Sequence, residues 1–232
     1  MINMKRIEGG IVLKNFLDKW CQQVWLYFVY LLAIIMGNIL MLKWDVWGVP
    51  QILSCLLAIM IPAHVFEENT FPGGFFFMNN LNFKSKEPMV YPQNRLTNMI
   101  TNLGAEIIFI IMTLYAARIE TAAVLVVIAF GIIELVNHTR EGIHMYFRYR
   151  DKGKKTIYAP GMITSYLCLL PLSVKGISWM MTAEFSAADL FMGIGIVLFI
   201  AIGLILIPFA FSVKVKSSRF AFKDNGYFNK YE

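Results

Sequence analysis

The sequence contains few charged residues and few cysteines. Only 16% of its 232 residues are charged, whereas 58% are hydrophobic and the mean hydropathy is +0.60. This composition excludes an ordinary soluble globule and predicts an all-α integral membrane protein. The three cysteines, Cys21, Cys55 and Cys168, lie apart in or beside apolar segments without a CxxC spacing. Neither a disulfide framework nor a zinc-thiolate site is therefore supported, and we interpret the cysteines as small apolar residues.

Six apolar segments are each about as long as a helix that crosses a bilayer. They predict a bundle of about six transmembrane helices, built as three helical hairpins. Pro171 and Lys175 interrupt the fifth segment, so we expect it to be the most irregular. The apolar connection 69–98 is expected to fold back against the mouth of the bundle. The predicted spans are residues 24–42, 49–66, 99–117, 121–146, 162–181 and 190–213.

The start of the chain does not resemble a signal peptide, because Lys14, Asp18 and Lys19 interrupt its apolar stretch. Residues 11–23 place apolar side chains at helical spacing opposite these charges, which predicts an amphipathic helix in the membrane interface. We therefore divide the chain into a cytoplasmic N-terminus with this helix (1–23), a transmembrane domain (24–213) and a basic cytoplasmic tail (214–232).

The basic residues sort by side of the membrane. Of the 21 Lys and Arg residues, all but Lys43, Arg118 and Lys175 lie on the side that holds both termini. The positive-inside rule then predicts a multi-pass protein of the plasma membrane with both termini cytoplasmic. The net charge of +6 is accounted for in this way, so the expected partner is the lipid bilayer and not nucleic acid.

The second predicted span ends with three ionisable residues, in the sequence His64-Val65-Phe66-Glu67-Glu68. On a helix, Glu67 and Glu68 follow His64 by three and four residues and lie on the same side, one turn further on. Such groups at membrane depth are rare and usually functional. The alternative is a hydrogen-bonded interfacial histidine beside a solvated helix end.

The fourth predicted span ends with a matching set, because Glu134, His138 and Glu141 share one helical face. Both sets close even-numbered spans on the same membrane side, so we expect them to meet in one site. Imidazole and carboxylate groups suit a divalent ion such as Zn, Fe or Mn. The predicted metal ligands are His64, Glu67, His138 and Glu141, and the predicted catalytic residues are Glu68 and Glu134.

Two further ionisable residues each have two possible roles. Glu106, in the third span, is either a partner or proton carrier for the site, or a group that hydrogen-bonds a neighbouring helix. His144, three residues past Glu141, is expected either to be peripheral or to support a ligand without binding the metal itself.

Three motifs in order resemble the pattern of the HXXEE-motif family: His64-Val65-Phe66-Glu67-Glu68, a further histidine at His138, and Tyr158-Ala159-Pro160-Gly161. The resemblance implies a bacterial or archaeal integral membrane protein. It implies no reaction, since the family has no established activity.

Three functions compete. The first is a metal-dependent hydrolase or oxidoreductase that acts on a lipid-like substrate at the cytoplasmic leaflet, with Glu68 as general base and Phe75, Phe76 and Phe77 lining the substrate route. The second is an ion- or proton-coupled transporter, in which Glu106 and Glu134 extend the path inward and a polar trail through Asn102 and Asn38 continues it to the outer face. For this function so small a chain predicts a homodimer. The third is a structural membrane protein with a stabilising metal.

Overall fold

The computed structural model describes residues 15–232, and this part of the chain is helical without strands. It confirms the all-α bundle: six of its seven helices are long and apolar enough to cross a membrane. The helices are α1 (Asn15–Lys43), α2 (Val49–Asn69), α3 (Phe75–Asn82), α4 (Arg95–Tyr115), α5 (Glu120–Tyr149), α6 (Met162–Met180) and α7 (Ala187–Val215).

Helix α1 carries the first span and continues without a break through residues 15–23. One π-helical turn, Trp20–Val24, lies where the predicted interfacial helix would join the span. The remainder of that predicted helix, residues 11–14, lies outside the described residues. The proposed division of the chain at residues 23 and 24 therefore stays a prediction.

Helices from different hairpins pack together in the bundle. Helix α2 packs against α1, α4 and α5, while α5 also packs against α6 and α7. Because α2 and α5 are the helices that carry the two histidine motifs, this packing brings the motifs together.

Helix α6 is irregular, as the sequence predicts, but it is not the most irregular span, because α7 contains a longer π-helical segment. A π-helical turn, Ser165–Leu169, precedes Pro171, which lacks the amide hydrogen that a continuous α-helix would use. Lys175 lies on the exposed face, where its long side chain can extend towards the membrane surface.

Helix α7 contains a longer irregularity that the sequence analysis did not predict. Its π-helical segment Ile200–Leu206 spans seven residues and ends just before Pro208. Pro208 cannot donate to the carbonyl of Leu204, and the hydroxyl of Thr101 on α4 donates to that oxygen instead, at 2.7 Å. The irregular segment is thus held against α4.

The connection between α2 and α4 forms a roof over the end of the bundle that carries the histidine motifs. It contains the short helix α3, and α4 begins at Arg95, one turn earlier than expected, because Asn94 caps it. The Asn80 side chain bonds both backbone groups of Gln93, at 2.7 and 2.8 Å. Buried side-chain amides therefore supply the hydrogen bonds that the non-helical backbone of the roof needs. Such bonds are required if the roof folds back on the bundle, as the sequence predicts.

The C-terminal tail packs across this roof. Phe222 stacks on Phe76 of α3 with ring centroids 3.4 Å apart, and Phe228 is fully buried. The amide of Tyr227 donates to the carbonyl of Gly73 at 3.1 Å. The tail is thus an ordered cover for α3.

Candidate metal centre

His64 on α2 and His138 on α5 meet inside the bundle. Their Nε2 atoms lie 3.1 Å apart, and the residues are only 4% and 0% exposed. The two rings are nearly perpendicular, so each presents its Nε2 edge to the same small volume. The predicted encounter of the two histidines is therefore found in the structure.

Two carboxylates flank the histidine pair. Glu68 Oε1 lies 3.4 Å from Nε2 of His64 and 3.3 Å from Nε2 of His138. Glu134 Oε2 lies 3.7 and 3.3 Å from the same two nitrogens. The donor atoms of His64, Glu134 and His138 all lie within 4.8 Å of one another. The cluster thus combines both helices and both histidine motifs.

The donor spacing of this cluster fits a metal ion. Two donor atoms on one tetrahedral ion lie about 3.3–3.6 Å apart, since metal–ligand bonds to nitrogen and oxygen are about 2.0–2.2 Å. Nε2 of His64, Nε2 of His138 and Oε2 of Glu134 lie 3.1–3.7 Å apart. Two neutral imidazoles beside the buried carboxylate of Glu68 and the half-buried carboxylate of Glu134 would leave two negative charges, which a divalent ion would neutralise. The residues could therefore hold such an ion.

Glu67 turns away from this cluster. Its carboxylate accepts hydrogen bonds from the amides of Ile163 and Thr164, at 3.1 and 2.8 Å. It also accepts from the hydroxyls of Thr164 and Tyr158, at 2.6 and 3.2 Å. The expected ligand Glu67 instead joins α2 to the start of α6.

Thr164 links this carboxylate to the metal centre. Its hydroxyl lies 2.6 Å from Glu67 Oε2, which can only accept, and 2.8 Å from Nδ1 of His64. When the hydroxyl donates to Glu67, its oxygen accepts from Nδ1–H of His64. Nε2 of a neutral His64 then carries the lone pair that faces the cluster, as a metal ligand requires.

The Tyr158-Ala159-Pro160-Gly161 motif supports the same centre. Gly161 has a φ of +91°, and a Cβ there would lie 2.0 Å from Cε1 of His138. Burial and the Glu67 carboxylate raise the pKa of Tyr158, so its hydroxyl stays protonated and donates to Glu67. The motif therefore holds one histidine by contact and reaches the other through Glu67 and Thr164.

The remaining ionisable residues lie outside the cluster. Glu141, expected as a ligand, lines the adjoining cavity, and its buried Oε2 has no hydrogen-bond partner within the described residues. His144 is exposed, as expected of a peripheral residue. Glu106 is fully buried, and neither carboxylate oxygen has a partner in residues 15–232. Asn38 lies on an exposed face of α1 and bonds a carbonyl of its own helix.

A cavity of about 240 Å³ opens beside the cluster. His64, Glu68 and Glu134 line one part of it, and Asn102, Asn137, Arg140 and other polar residues continue the wall. The rest is apolar, formed by Ile61, Phe75, Phe83, Ala105, Phe130, Ile200, Ile205 and Phe209. The cavity therefore presents a reactive polar end and a hydrophobic end.

A family model described as "Protein of unknown function with HXXEE motif" matches residues 55–175, which is more than half of the chain. The chain belongs to this family. The match includes the HXXEE motif, the second histidine motif and the segment that carries Thr164. No curated protein and no solved structure matches the chain.

The two glutamates of the HXXEE motif differ in position. The second, Glu68, lies beside the histidine pair, whereas the first, Glu67, bonds the supporting segment. Sequence reasoning missed Thr164, because a lone threonine carries no periodic signal. It also grouped three phenylalanines of which Phe75 alone lines the cavity, packing on His138 with centroids 5.0 Å apart.

Proposed function

We propose that this HXXEE-motif protein is a metal-dependent hydrolase that acts on a lipid-like substrate in the membrane. The observation that carries the proposal is the set of the buried His64 and His138 and the half-buried Glu134, whose donor atoms have the spacing of ligands to one ion. Three protein ligands leave a coordination position open, which is typical of catalytic sites and not of structural ones. Zn, Mn and Fe all suit these ligands.

Glu68 is the general base in this proposal. It lies beside both histidines and lines the cavity, so it can accept the proton of a water molecule whose oxygen attacks the substrate. The proton then passes to the leaving alcohol as the ester bond breaks. A bound divalent ion would lower the pKa of water and polarise the bond to be cleaved.

The cavity supports a lipid-like substrate. Its apolar wall comes from the roof and from α2, α4, α5 and α7, four helices of spanning length. A hydrophobic chain can therefore lie there while the polar bond reaches Glu68 and Glu134. The tail and the roof cover the same end of the bundle.

The structure gives less support to the transporter alternative. That function needs a polar path away from the cluster to the opposite face. Asn38, expected to lie on this path, is on an exposed face of α1, and Glu106 has no hydrogen-bonded neighbour within the described residues. Polar groups concentrate at one end of the bundle, which favours an enzyme.

Purified protein is expected to contain about one divalent ion per chain, and His64→Ala or His138→Ala should remove it, because each variant deletes one of three ligands. Elemental analysis by mass spectrometry measures this content. The matched control is His144→Ala, which deletes the exposed histidine. Metal that stays bound in both His64→Ala and His138→Ala would refute the proposed centre.

Replacing the two flanking carboxylates should separate their roles. Glu134→Gln is expected to lower metal affinity roughly a hundredfold, whereas Glu68→Gln should lower it less than about tenfold because the base is not a ligand. Titration against a chelator measures both affinities. Equal losses of metal affinity in the two variants would instead identify Glu68 as a fourth ligand and contradict its role as the general base.

We also propose that both termini are cytoplasmic in the plasma membrane, on the basis of the distribution of lysine and arginine. A cysteine introduced at the exposed Lys155, in a background where the three native cysteines are replaced, should resist an impermeant thiol reagent in intact cells. It should react once the cells are permeabilised. Labelling of this cysteine in intact cells would show that the termini have the opposite orientation.

A further inference from the structure

A second cavity, of about 490 Å³, lies beside the first at the end of α7. Leu206, Phe209, Ala210 and Val213 form its apolar wall, and Lys84, Lys86 and Lys216 lie around it. Among the described residues, no carboxylate lines this cavity. It therefore combines a hydrophobic wall with charged residues that are all positive.

Two of these lysines adopt a backbone conformation that glycine normally occupies. Lys84 has a φ of 55° and Lys216 a φ of 49°, and they are the two non-glycine residues with positive φ in the described chain. Each follows the end of a helix, α3 and α7 respectively, where glycine would relieve the strain. The left-handed turns direct both side chains to the same cavity.

The two cavities adjoin. Phe83 and Phe209 line both of them, and their rings meet edge to face with centroids 6.0 Å apart. A molecule held near the lysines can therefore extend past this aromatic pair towards Glu68 and Glu134. The apolar wall of the second cavity belongs to the end of a candidate membrane span, so hydrocarbon chains have access to it.

We infer that this lysine pocket binds the headgroup of an anionic phospholipid, whose acyl chains lie along α7. Positive charge at a membrane surface next to apolar side chains is complementary to a phosphate joined to hydrocarbon. That the bound lipid is also the substrate rests on the proposed function. The inference that the pocket binds this lipid does not depend on the proposed function.

The test compares lipid preference in bilayers that contain the full chain. Spin-labelled phosphatidylglycerol and phosphatidylcholine report the relative association of anionic and zwitterionic lipid. Lys84→Gly with Lys216→Gly should lower the preference for phosphatidylglycerol by about fivefold for each lysine removed. These glycines suit the left-handed backbone, so the variant is expected to fold.

The matched control is Lys155→Ala with Lys214→Ala, which removes the same charge from exposed positions outside the pocket. It should keep most of the preference. Equal preference in the two double variants, or loss of preference in the wild type on addition of inorganic phosphate, would overturn the lipid site. The measurement is repeated with His64→Ala: a preference that persists without the metal supports the pocket even if the hydrolase proposal fails.

Discussion

Gly161→Ala is expected to displace His138 and abolish metal binding. A Cβ at position 161 would lie 2.0 Å from Cε1 and 2.6 Å from both ring nitrogens of His138. The ring cannot remain where its Nε2 meets that of His64, because real Cβ atoms never approach so closely. The φ of +91° adds backbone strain of about 1–2 kcal/mol for any residue with a side chain. Chelator titration of the metal and thermal unfolding in detergent measure the two effects.

Gly153→Ala is the matched control for this substitution. Gly153 also has a φ of +91°, but a Cβ there would meet no atom within 4 Å. Alanine at 153 should therefore cost only the backbone strain and leave metal binding intact. The difference between the two variants isolates the contact with His138. If Gly161→Ala bound metal as tightly as Gly153→Ala, the packing of the motif against the histidine would have no functional role.

The six spans and the encounter of the two histidines could be predicted from the sequence. Bilayer thickness dictates the length of an apolar run, and both motifs end spans on the same side. The choice between neighbouring glutamates could not be predicted so readily. Residues four apart on a helix differ by about 40° in direction and residues three apart by about 60°, so both spacings are compatible with a shared face.

The structure resolves this choice in the same way in both motifs. Glu68 and Glu134 each lie four residues from the histidine of their own helix, and both reach the histidine pair. Glu67 and Glu141, three residues away, do not. Their directions depend on partners from other helices, such as the amides at the start of α6, and sequence spacing within one helix contains no information about these.

The roof was predicted as an apolar connection, but helix α3 within it was not. Eight residues are too few for a clear helical period. The hydrogen bonds between the side-chain amide of Asn80 and the backbone of Gln93 join residues 13 apart in the sequence. The left-handed backbone conformation of Lys84, which follows helix α3, could likewise not be predicted from the sequence. Such features depend on tertiary contacts, which also explains why the lysine pocket has no sequence signal.

Thr164→Val is expected to weaken metal binding by roughly 10–100-fold, the usual effect of removing a group that orients a ligand histidine. Valine has nearly the shape of threonine but neither accepts from Nδ1 of His64 nor donates to Glu67. His64 then loses the bond that places its lone pair on Nε2. The backbone amide of residue 164 still bonds Glu67, so the start of α6 should stay in place.

Thr164→Ser distinguishes the hydroxyl from the packing of the side chain. Serine keeps the hydroxyl between Glu67 and His64, so its metal affinity should match that of the wild type in the same chelator titration. A role in packing alone predicts the reverse order, since serine removes a methyl group that valine retains. Binding that is normal with valine and weak with serine would therefore refute the relay, and the order expected here would assign Glu67 a function through Thr164.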